Sequence, residues 1–455
     1  MEFNSLATDK NWQKYSLEEI CLKITSGGTP SRQNPKLYKN GNINWIKTKE
    51  LNNGYIFESE EKITEEAIKR SSAKLLPVNT ILLAMYGATV GELGILGKEM
   101  ACNQACCALI IDPKKADYRF IFYLLRLYKK EIQSLATGAA QQNLSAKTIK
   151  EFSFYIPNLE KQKKIADILS ELDKKIDLNT QINQTLEQIA QALFKSWFVD
   201  FDPVRAKVQA LSDGLSLEQA ELAVMQAISG KTPEELTALS QTQPDRYAEL
   251  AETAKAFPCE MVEVDGVEVP KGWEVKPLSG LFALISGTQI PKEEHIYEAK
   301  EGYERFIQNR DYSSNNHITY VEISKKNKRC TEKDILIDRY GDAGKIRFGI
   351  SGVYNIALAK IVLNDNKLTE YLRWFLMQPK QKAYFEQASG ASTRASLNTS
   401  TFKGINIVIP SNCILNFFSK ISNTYLDSLR NLKDENNTLI KTRDSLLPKL
   451  LKKDI

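Results

Sequence analysis

Two long stretches of the chain space their apolar residues alternately four and three positions apart, which is the heptad pattern of helices that pack against a partner. One stretch covers residues 418–450, and the other covers residues 165–197 in the same register, 253 residues earlier. Each stretch corresponds to roughly 48 Å of helix. Because neither helix is apolar all round, the pattern predicts that the two pack against each other. The first seam consists of Ile165, Leu169, Leu172, Ile176, Asn179, Asn183, Leu186, Ala190, Leu193 and Trp197.

A mixed region of short strands and helices is predicted ahead of each long helix. Apolar, β-branched runs bounded by Gly, Pro or Asn are typical of buried strands. Such runs occur at residues 80–85, 105–111, 335–337 and 405–409. Leu, Phe and Tyr recur at helical spacing in residues 118–135 and 368–387. Each region is therefore predicted to be an α+β module in which small helices pack on a curled sheet.

The two mixed regions are copies of one module. Short motifs recur in the same order at offsets between 252 and 261 residues: Trp12 with Trp273, Ser26-Gly27 with Ser286-Gly287, Tyr86-Gly87 with Tyr340-Gly341, Asn103 with Asn355, and Ile156-Pro157 with Ile409-Pro410. A repeat of this kind indicates one folding unit used twice. The predicted boundaries are a first module at 1–158, its helix at 159–201, an insert at 202–270, a second module at 271–411 and a last helix at 412–455.

The insert interrupts the symmetry, since nothing comparable follows the second helix. Ser216 with Gln219 and Thr232 with Glu235 have the spacing of capping boxes, which begin helices, and a hairpin is predicted just before the second module. Residues 201–270 include 5 basic and 13 acidic residues, a net charge of −8. The sequence therefore predicts an acidic, mainly helical segment between the two copies.

This acidic segment hides the charge of the rest of the chain. All 455 residues together carry 61 Lys and Arg against 56 Asp and Glu, and the resulting +5 does not indicate a nucleic-acid partner. Outside residues 201–270, 56 basic residues stand against 43 acidic ones, which leaves +13. The duplicated part is moderately basic, as suits a surface that lies along a duplex.

Composition also limits the compartment and the chemistry. No apolar stretch approaches a membrane span and the start of the chain lacks the order of a signal peptide, so a cytoplasmic protein with no membrane partner is expected. Seven cysteines, with Cys106 next to Cys107, predict reduced and mostly buried thiols. Because His295 and His317 are the only histidines, Cys102 and Cys106 are interpreted as strand-core residues, and no metal site is predicted.

Motifs of enzymatic chemistry are missing from the sequence. It contains no GxxxxGK[ST] loop, no GxGxxG after a strand, no Asn-Pro-Pro-aromatic tetrapeptide of amino-methyltransferases and no credible nuclease carboxylate cluster. No cofactor of its own is therefore expected. Two alternatives remain open on the residues alone: a DNA methyltransferase or nuclease with its own recognition repeats, and a repeat-built scaffold that does not bind DNA.

Asn183 and Asn436 occupy equivalent positions in the two helical seams. A polar seam residue is either a solvated irregularity or a device that fixes register and orientation, and its recurrence in both copies favours the second interpretation. The direction of the helices stays open at this point. An antiparallel pair would place the modules at opposite ends, related by a pseudo-twofold axis, whereas a parallel pair would make them collide at one end.

Two passages carry a family resemblance: Pro157-Asn-Leu-Glu-Lys-Gln-Lys-Lys-Ile-Ala-Asp-Ile-Leu169 and Leu193-Phe-Lys-Ser-Trp-Phe-Val-Asp-Phe-Asp-Pro203. Together with two modules that each precede a heptad helix, they resemble the specificity (S) subunit of type I restriction-modification enzymes. Within the modules only short pieces match, such as Ser26-Gly27-Gly28-Thr29-Pro30 and Tyr86-Gly87. The resemblance covers essentially the whole chain. It implies two similar α+β target recognition domains and an antiparallel coiled coil with pseudo-twofold symmetry.

The same resemblance implies a non-catalytic role in DNA recognition. Each module would read one half of a split, asymmetric site in double-stranded DNA, while the helices act as a ruler and dock two methyltransferase subunits. A restriction subunit, with translocase and nuclease activity, can join this assembly, and S-adenosylmethionine would bind to the methyltransferase subunits. The acidic insert is interpreted as a connector or partner-docking surface, so that deleting residues 205–262 is expected to leave DNA recognition intact.

Candidate DNA contacts lie in polar loops that match between the modules, because polar side chains read base edges and Lys and Arg bind phosphates. In the first module they are Ser26, Gly27, Gly28, Thr29, Ser31, Arg32, Lys47, Thr48, Lys49, Arg70, Tyr86, Gln141 and Gln142. In the second module they are Ser286, Gly287, Thr288, Gln289, Gln308, Asn309, Arg310, Arg339, Tyr340, Arg394, Ser396 and Asn398.

Each candidate has an ordinary structural alternative. Gly27 and Gly28 are expected to allow a close approach of the backbone. Any single polar side chain is equally well explained as a solvated loop residue. For Tyr86 and Tyr340 the favoured interpretation is a turn tyrosine packed on the core.

Overall fold

The computed structural model describes residues 2–3, 12–136, 143–264, 266–313, 317–390, 397 and 399–451. The chain divides into two compact units, one formed by residues 1–180 with 433–455 and the other by residues 181–432. Each unit holds one module and a part of each of the two long helices.

The first module is a set of short strands joined by loops and small helices. Its described strands are β1 (Glu2–Phe3), β2 (Gln13–Ser16), β3 (Cys21–Ser26), β4 (Ile43–Ile46), β5 (Tyr55–Ile56), β6 (Lys62–Ile63), β7 (Ile81–Ala84), β8 (Leu93–Leu96), β9 (Ala101–Cys102), β10 (Cys106–Ile111) and β11 (Ser153–Ile156). Its described helices are α1 (Leu17–Ile20), α2 (Glu65–Lys69), α3 (Tyr118–Leu127), α4 (Lys129–Ser134) and α5 (Ala146–Lys150), followed by the long helix α6 (Leu159–Phe198).

The main sheet of this module has the order β3-β10-β7-β8-β5, with a three-stranded sheet β6-β4-β9 and a further sheet β1-β11-β2. Every residue of β7 is buried, which explains why its sequence is an unbroken apolar run. Leu83 on one face packs in a core with Phe120 and Leu124 of α3, and Leu82 on the other face packs with Ile46. The sheet is therefore covered on both sides.

Two cysteines of the first module lie in strands and are buried, as the sequence predicted. Cys102 and Cys106 are fully buried, free thiols in β9 and β10. The neighbouring Cys102 thiol and burial both raise the pKa of Cys106 well above its usual value. The interpretation as strand-core residues is confirmed for both.

The insert and the second module follow α6. The insert forms α7 (Asp202–Ser212), α8 (Leu217–Ser229), α9 (Pro233–Thr242), α10 (Pro244–Ala256), β12 (Met261–Val264) and β13 (Val267–Pro270). The described strands of the second module are β14 (Glu274–Pro277), β15 (Phe282–Ser286), β16 (Tyr303–Ile307), β17 (Thr319–Glu322), β18 (Arg329–Cys330), β19 (Ile335–Asp338), β20 (Ile346–Arg347), β21 (Gly352–Tyr354), β22 (Leu358–Leu363) and β23 (Asn406–Ile409). Its helices are α11 (Thr369–Leu376) and α12 (Pro379–Gly390), and the last long helix is α13 (Asn412–Leu451).

The second module repeats the strand orders of the first. Its sheets run β15-β22-β19-β20 and β17-β16-β21-β18, which correspond to β3-β10-β7-β8 and β6-β4-β9. Strand β14 pairs with β23 antiparallel, as β2 does with β11. The prediction of two similar α+β modules, each followed by a long helix, is confirmed.

The long helices run antiparallel. In the first unit, Ile165 of α6 shares a buried core with Leu447 near the end of α13. Further along, Asp173 Oδ1 lies 2.5 Å from Arg443 Nη1, and Asn179 reaches Asn436. Successive residues along α6 contact residues progressively earlier in α13. The predicted antiparallel direction is therefore confirmed for this pair of segments.

In the second unit, the remaining parts of the same helices meet through aromatic side chains. The ring centroids of Trp197 and Phe417 lie 6.0 Å apart in a stacked arrangement, and Phe194 contacts Phe418 at 5.8 Å. These rings belong to a core that also contains Trp273 and Tyr371 of the second module. The helix ends are thereby part of the module's own hydrophobic core.

The asparagines in the seam between the long helices do not pair as repeat-equivalent residues. Asn436 donates from Nδ2 to the Ile176 carbonyl at 3.1 Å, and its Oδ1 accepts from Asn179 Nδ2 at 3.0 Å. Asn179 is completely buried and also donates to Glu435 at 2.8 Å. Asn183 is partly exposed. In an antiparallel pair, repeat-equivalent residues face each other only at the midpoint, so Asn179 rather than Asn183 is the amide partner of Asn436.

The insert is part of the second unit's core. Val204, Val224 and Phe257 are buried in the same cluster as Trp197 and Trp273. Both predicted capping boxes are present, at the starts of α8 and α9. Because of this packing, deleting residues 205–262 would expose apolar surface of the module that they adjoin. That the deletion leaves DNA recognition intact stays a prediction.

Candidate nucleic-acid interface

Gly27 and Gly28 begin the loop that leaves β3, and both are buried. Their backbone amides donate to the carbonyls of Cys106 at 3.1 Å and Cys102 at 2.9 Å. A Cβ atom at either position would lie 2.2 Å from backbone atoms of other segments. The close approach that these glycines allow is therefore to the module's own backbone. Their contact with DNA stays a prediction.

The rest of this loop is held by aromatic residues. Trp45 Nε1 donates to the Gly28 carbonyl at 2.9 Å, and the Tyr38 hydroxyl donates to the Pro30 carbonyl at 2.5 Å. The guanidinium of Arg32 lies over the ring of Tyr38, 4.4 Å from its centroid, and donates to Glu61 at 2.7 Å. This hydrogen bond raises the pKa of Arg32 and lowers the pKa of Glu61.

Lysines after β4 join the same carboxylates. Lys47 Nζ lies 3.4 Å from Glu61 and 3.5 Å from Glu60, and Lys49 Nζ lies 2.5 Å from Glu60. The hydrogen bond from Lys49 lowers the pKa of Glu60. Arg32, Lys47 and Lys49, predicted from separate parts of the sequence, are thus brought together with two carboxylates that the sequence reasoning missed. Nothing in the local pattern distinguishes these acidic residues from others in the chain.

The turn after β4 in the first module and the turn after β16 in the second are built in the same way. Thr48 begins a 3-10 helix in which the Lys47 amide donates to Glu50 at 2.8 Å. At the equivalent place the Gln308 amide donates to Asp311 at 2.9 Å. The carboxylate that caps each turn is conserved in role between the copies, while the side chains that the turn presents differ.

One asparagine in each module holds the turn between two strands, β9 and β10 in the first module and β21 and β22 in the second. Asn103 Oδ1 accepts from the Ala105 amide at 3.2 Å, and Asn355 Oδ1 accepts from the Ala357 amide at 3.1 Å. Their own amides donate to the last residues of β4 and β16, at 2.9 and 3.0 Å. Sequence comparison of the copies matched this pair but gave it no role, although Asn is a residue type that favours turns.

Gly287 and Thr288 repeat the anchoring of Gly27 and Gly28. Their amides donate to the carbonyls of Leu358 at 3.0 Å and Tyr354 at 2.9 Å. A Cβ on Gly287 would lie 2.0 Å from a backbone oxygen, so this glycine is likewise required for internal packing. Thr288 Oγ1 accepts from the Lys328 amide at 2.8 Å, so this side chain is bonded to the module's own backbone.

Polar side chains from three loops meet in the second module. Arg339 Nη1 donates to Ser286 Oγ at 2.7 Å. Asn309 Nδ2 donates to the Tyr340 carbonyl at 3.3 Å. The structure therefore joins the ends of β15, β16 and β19, as the repeat predicts.

Thr319 is a further member of this group that the sequence reasoning missed. Its Oγ1 accepts from Gln308 Nε2 at 3.2 Å and from Arg310 Nη2 at 3.4 Å. Thr319 is fully buried, so it positions these two side chains without being exposed itself.

A buried ion pair supports the turn that carries Arg339 and Tyr340. Arg347 Nη2 lies 2.8 Å from Asp338 Oδ2, and both side chains are buried. Burial raises the pKa of Asp338, and the hydrogen bonds from Arg347 oppose that rise. The first module has Ala84 at the position of Asp338, so the two copies support equivalent turns with different chemistry.

Other predicted residues lie apart from these clusters or outside the described part. Arg70 pairs with Glu66 one turn earlier in α2, Thr29 donates to Gln104, and Ser31 and Gln289 are exposed. The candidates that fall outside the described residues are Gln141, Gln142, Arg394, Ser396 and Asn398.

The two turn tyrosines are open to solvent. Tyr86 is 36% exposed and Tyr340 is 41% exposed. The favoured interpretation of both as tyrosines packed on the core is therefore wrong, because each follows the buried end of a strand at the point where the chain turns outward. Arg339 lies with its guanidinium 5.5 Å from the Tyr340 ring centroid, so this tyrosine has a cation beside it.

Among the residues that the structure describes, no group of three or more His, Cys, Asp or Glu side chains is arranged to hold a metal ion. None of the described helices has the length and apolar character required to cross a bilayer.

Comparison with known proteins gives consistent matches. The family model described as "Type I restriction modification DNA specificity domain" matches residues 9–188 and 270–438. A Haemophilus influenzae protein named type I restriction enzyme HindI specificity subunit is 47% identical over 356 residues, which are 74% of this chain and 77% of that protein. The MjaIX specificity subunit of Methanocaldococcus jannaschii is 27% identical over 97% of this chain and 93% of its own length.

A solved structure shares the fold. The crystal structure of a type I restriction-modification system S subunit from M. genitalium covers 100% of both chains with a TM-score of 0.53 and 18% sequence identity. At this level of identity the likeness concerns the fold alone.

Proposed function

Because this chain belongs to the type I restriction-modification DNA specificity family, we propose that its two modules each read one half of a split, asymmetric DNA site. A specificity subunit supplies recognition and leaves catalysis to other subunits. One observation supports the split site above the rest: the modules share one backbone scaffold but present different side chains from it. Lys47 and Thr48 occupy the positions that Gln308 and Asn309 occupy in the second copy. Because base edges are distinguished by their hydrogen-bond donors and acceptors, modules that present different side chains from the same backbone are expected to recognise different base sequences.

The proposed recognition residues are members of the polar side-chain groups described above in each module. In the first module we propose Arg32, Lys47 and Lys49 as the principal contacts, and in the second Gln308, Arg310 and Arg339. Arg and Lys supply phosphate affinity and guanine contacts, and Gln or Asn can make two-point contacts with adenine. Tyr86 and Tyr340 are exposed at the adjoining turns and remain candidates.

The long helices are proposed to set the spacing of the half-sites and to dock the partners. Because α6 and α13 each run through both units, their length influences how many base pairs separate the two sequences read. We propose that two methyltransferase subunits bind the chain, that they hold S-adenosylmethionine, and that a restriction subunit joins them. Since its proposed target is cellular DNA, we also place the complex in the cytoplasm.

The test is selection of bound duplexes from a randomised library by the full chain co-expressed with its methyltransferase subunits. The expected result is a split site with two unlike halves, and affinity that falls steeply with added salt because phosphate contacts release counterions. Absence of duplex binding by the complex would favour the scaffold alternative. Methylation of DNA by the pure chain with S-adenosylmethionine would favour the enzyme alternative.

A further inference from the structure

The loop that carries Arg32 is anchored from both sides. Two backbone amides of the loop, at Gly27 and Gly28, donate to the first residue of β10 and the last residue of β9. Two of its carbonyls, at Gly28 and Pro30, accept from Trp45 and Tyr38. With four such bonds over four residues, the backbone before Arg32 is ordered without any ligand.

The Arg32 side chain is ordered as well. Its guanidinium carbon lies 4.4 Å from the centroid of the Tyr38 ring and 5.2 Å from that of Trp45. Glu61 accepts from Nη2 at 2.7 Å. Even so, 54% of the side chain is exposed, and a guanidinium has five N–H donors, so several remain available to a ligand. An arginine held in this way loses little conformational entropy when it binds.

The surrounding charge argues for a base and against a phosphate as the ligand. Arg32, Lys47 and Lys49 each have a carboxylate of Glu60 or Glu61 within 3.5 Å. A phosphate placed on this cluster would meet two carboxylates of its own sign. The major-groove edge of guanine is uncharged and offers two acceptors, O6 and N7, which match two parallel donors of a guanidinium.

We propose that Arg32 contacts the major-groove edge of one guanine in the half-site of the first module, and that Glu61 is a positioning residue for this contact. The inference deepens the proposed function and rests on it. Arg32 hydrogen-bonds to O6 and N7 of the guanine, while Tyr38 and Glu61 keep the guanidinium in the plane and direction that both bonds require.

The test replaces each guanine of the selected site, one at a time, by 7-deazaguanine, which lacks the N7 acceptor. Binding of the full chain with its methyltransferase subunits is measured for each duplex. The wild type is expected to lose about tenfold in affinity at guanines whose N7 is contacted. Arg32→Ala is expected to bind the normal and the 7-deaza duplex equally at a single one of these positions and to behave like wild type at the others.

Two further variants separate geometry from charge. Arg32→Lys keeps the positive charge but loses the planar guanidinium that stacks on Tyr38 and offers two parallel donors. It should therefore lose most of the discrimination at that guanine. Glu61→Gln keeps Arg32 but removes the charge that aligns it, so it should weaken discrimination at the same guanine. Arg205→Ala is the matched control, because Arg205 is equally exposed, at 51%, and pairs with Glu268 at 2.5 Å in the insert. It should leave all positions unchanged.

The outcomes are distinct. If Arg32→Ala weakens binding to every duplex alike and keeps the wild-type response to each 7-deazaguanine, Arg32 is a phosphate contact and the inference is wrong. If Arg32→Lys discriminates as wild type does, charge alone is sufficient and the proposed two-point contact is wrong. If the wild-type complex shows no sequence preference at all, the proposed function fails and this inference fails with it.

Discussion

Gly27 and Gly287 lie where the chain leaves the first strand of each main sheet. Their backbones press against the turns formed by Asn103 and Asn355, and a Cβ would come within 2.2 and 2.0 Å of the carbonyl oxygens of those asparagines. Backbone atoms cannot move aside as a flexible side chain can. At the residue scale, each loop that carries candidate contacts therefore depends on a glycine packed against the backbone of its own module.

Replacing Gly27 by alanine should destabilise the first unit by about 2 kcal/mol, the usual cost of forcing extra volume into a packed site. The measurement is chemical denaturation followed by circular dichroism. Gly54→Ala is the control in the same module, because the nearest atom to its Cβ would be the Asn52 side chain at 3.7 Å. Equal stability of the two variants would contradict the packing role of Gly27.

At the scale of elements, one pair of seam asparagines is hydrogen-bonded between the two long helices. Asn179 Nδ2 donates to Asn436 Oδ1, while Asn179 Oδ1 and Asn183 Oδ1 are both buried without a hydrogen-bond partner among the described residues. Polar seam residues cost stability unless their groups are paired, and a paired set favours one register. The register is thus attributed to Asn179 with Asn436.

Asn179→Leu should lower the free energy of unfolding by about 1–3 kcal/mol, because it removes the donor to Oδ1 of the partly buried Asn436. The double variant Asn179→Leu with Asn436→Leu should recover most of this loss, since apolar seam residues pack well. A double-mutant cycle measured by denaturation gives the coupling between the two amides.

Asn183→Leu provides the matched control, because it removes an amide oxygen that has no partner. It should be neutral or stabilising. A loss of stability as large as that of Asn179→Leu would show that the repeat-equivalent pair, Asn183 and Asn436, carries the register after all.

At the scale of the whole molecule, the acidic insert is held together internally by a buried cation. Lys207 of α7 is 1% exposed, and its Nζ donates to the carbonyls of Ala254, Lys255 and Phe257 at 3.1, 3.3 and 2.9 Å. These carbonyls lie at the end of α10, where helix groups lack partners of their own and a cation is favourable. Lys207 therefore fastens α7 to the end of α10 within the insert.

Lys207→Met should destabilise the insert by about 2 kcal/mol or more, because it leaves those carbonyls buried without a donor. Limited proteolysis is expected to cut residues 202–270 faster in the variant. Lys255→Met is the control, since its side chain is 54% exposed and forms a surface ion pair with Glu252. Proteolysis at the wild-type rate in Lys207→Met would argue against the fastening role.

Much of the fold was predictable from the sequence. The duplicated modules, the two heptad helices and the capping boxes of the insert all depend on spacing patterns and on residues close together in the chain. The candidate site was predictable only as a set of loops. Arg32 and Lys47 were named from their residue type, but their carboxylate partners were not, because an ion pair across 29 residues leaves no periodic trace.

Sequence alone established that this protein uses one module-plus-helix unit twice, since a repeat and a heptad are properties of order along the chain. Tertiary structure decided which groups face each other. It paired Asn436 with Asn179, buried Gly27 against its own module, exposed Tyr86 and placed Glu61 on Arg32. Those outcomes depend on how separate segments pack in space, where antiparallel register and close backbone approach select partners that are distant in sequence.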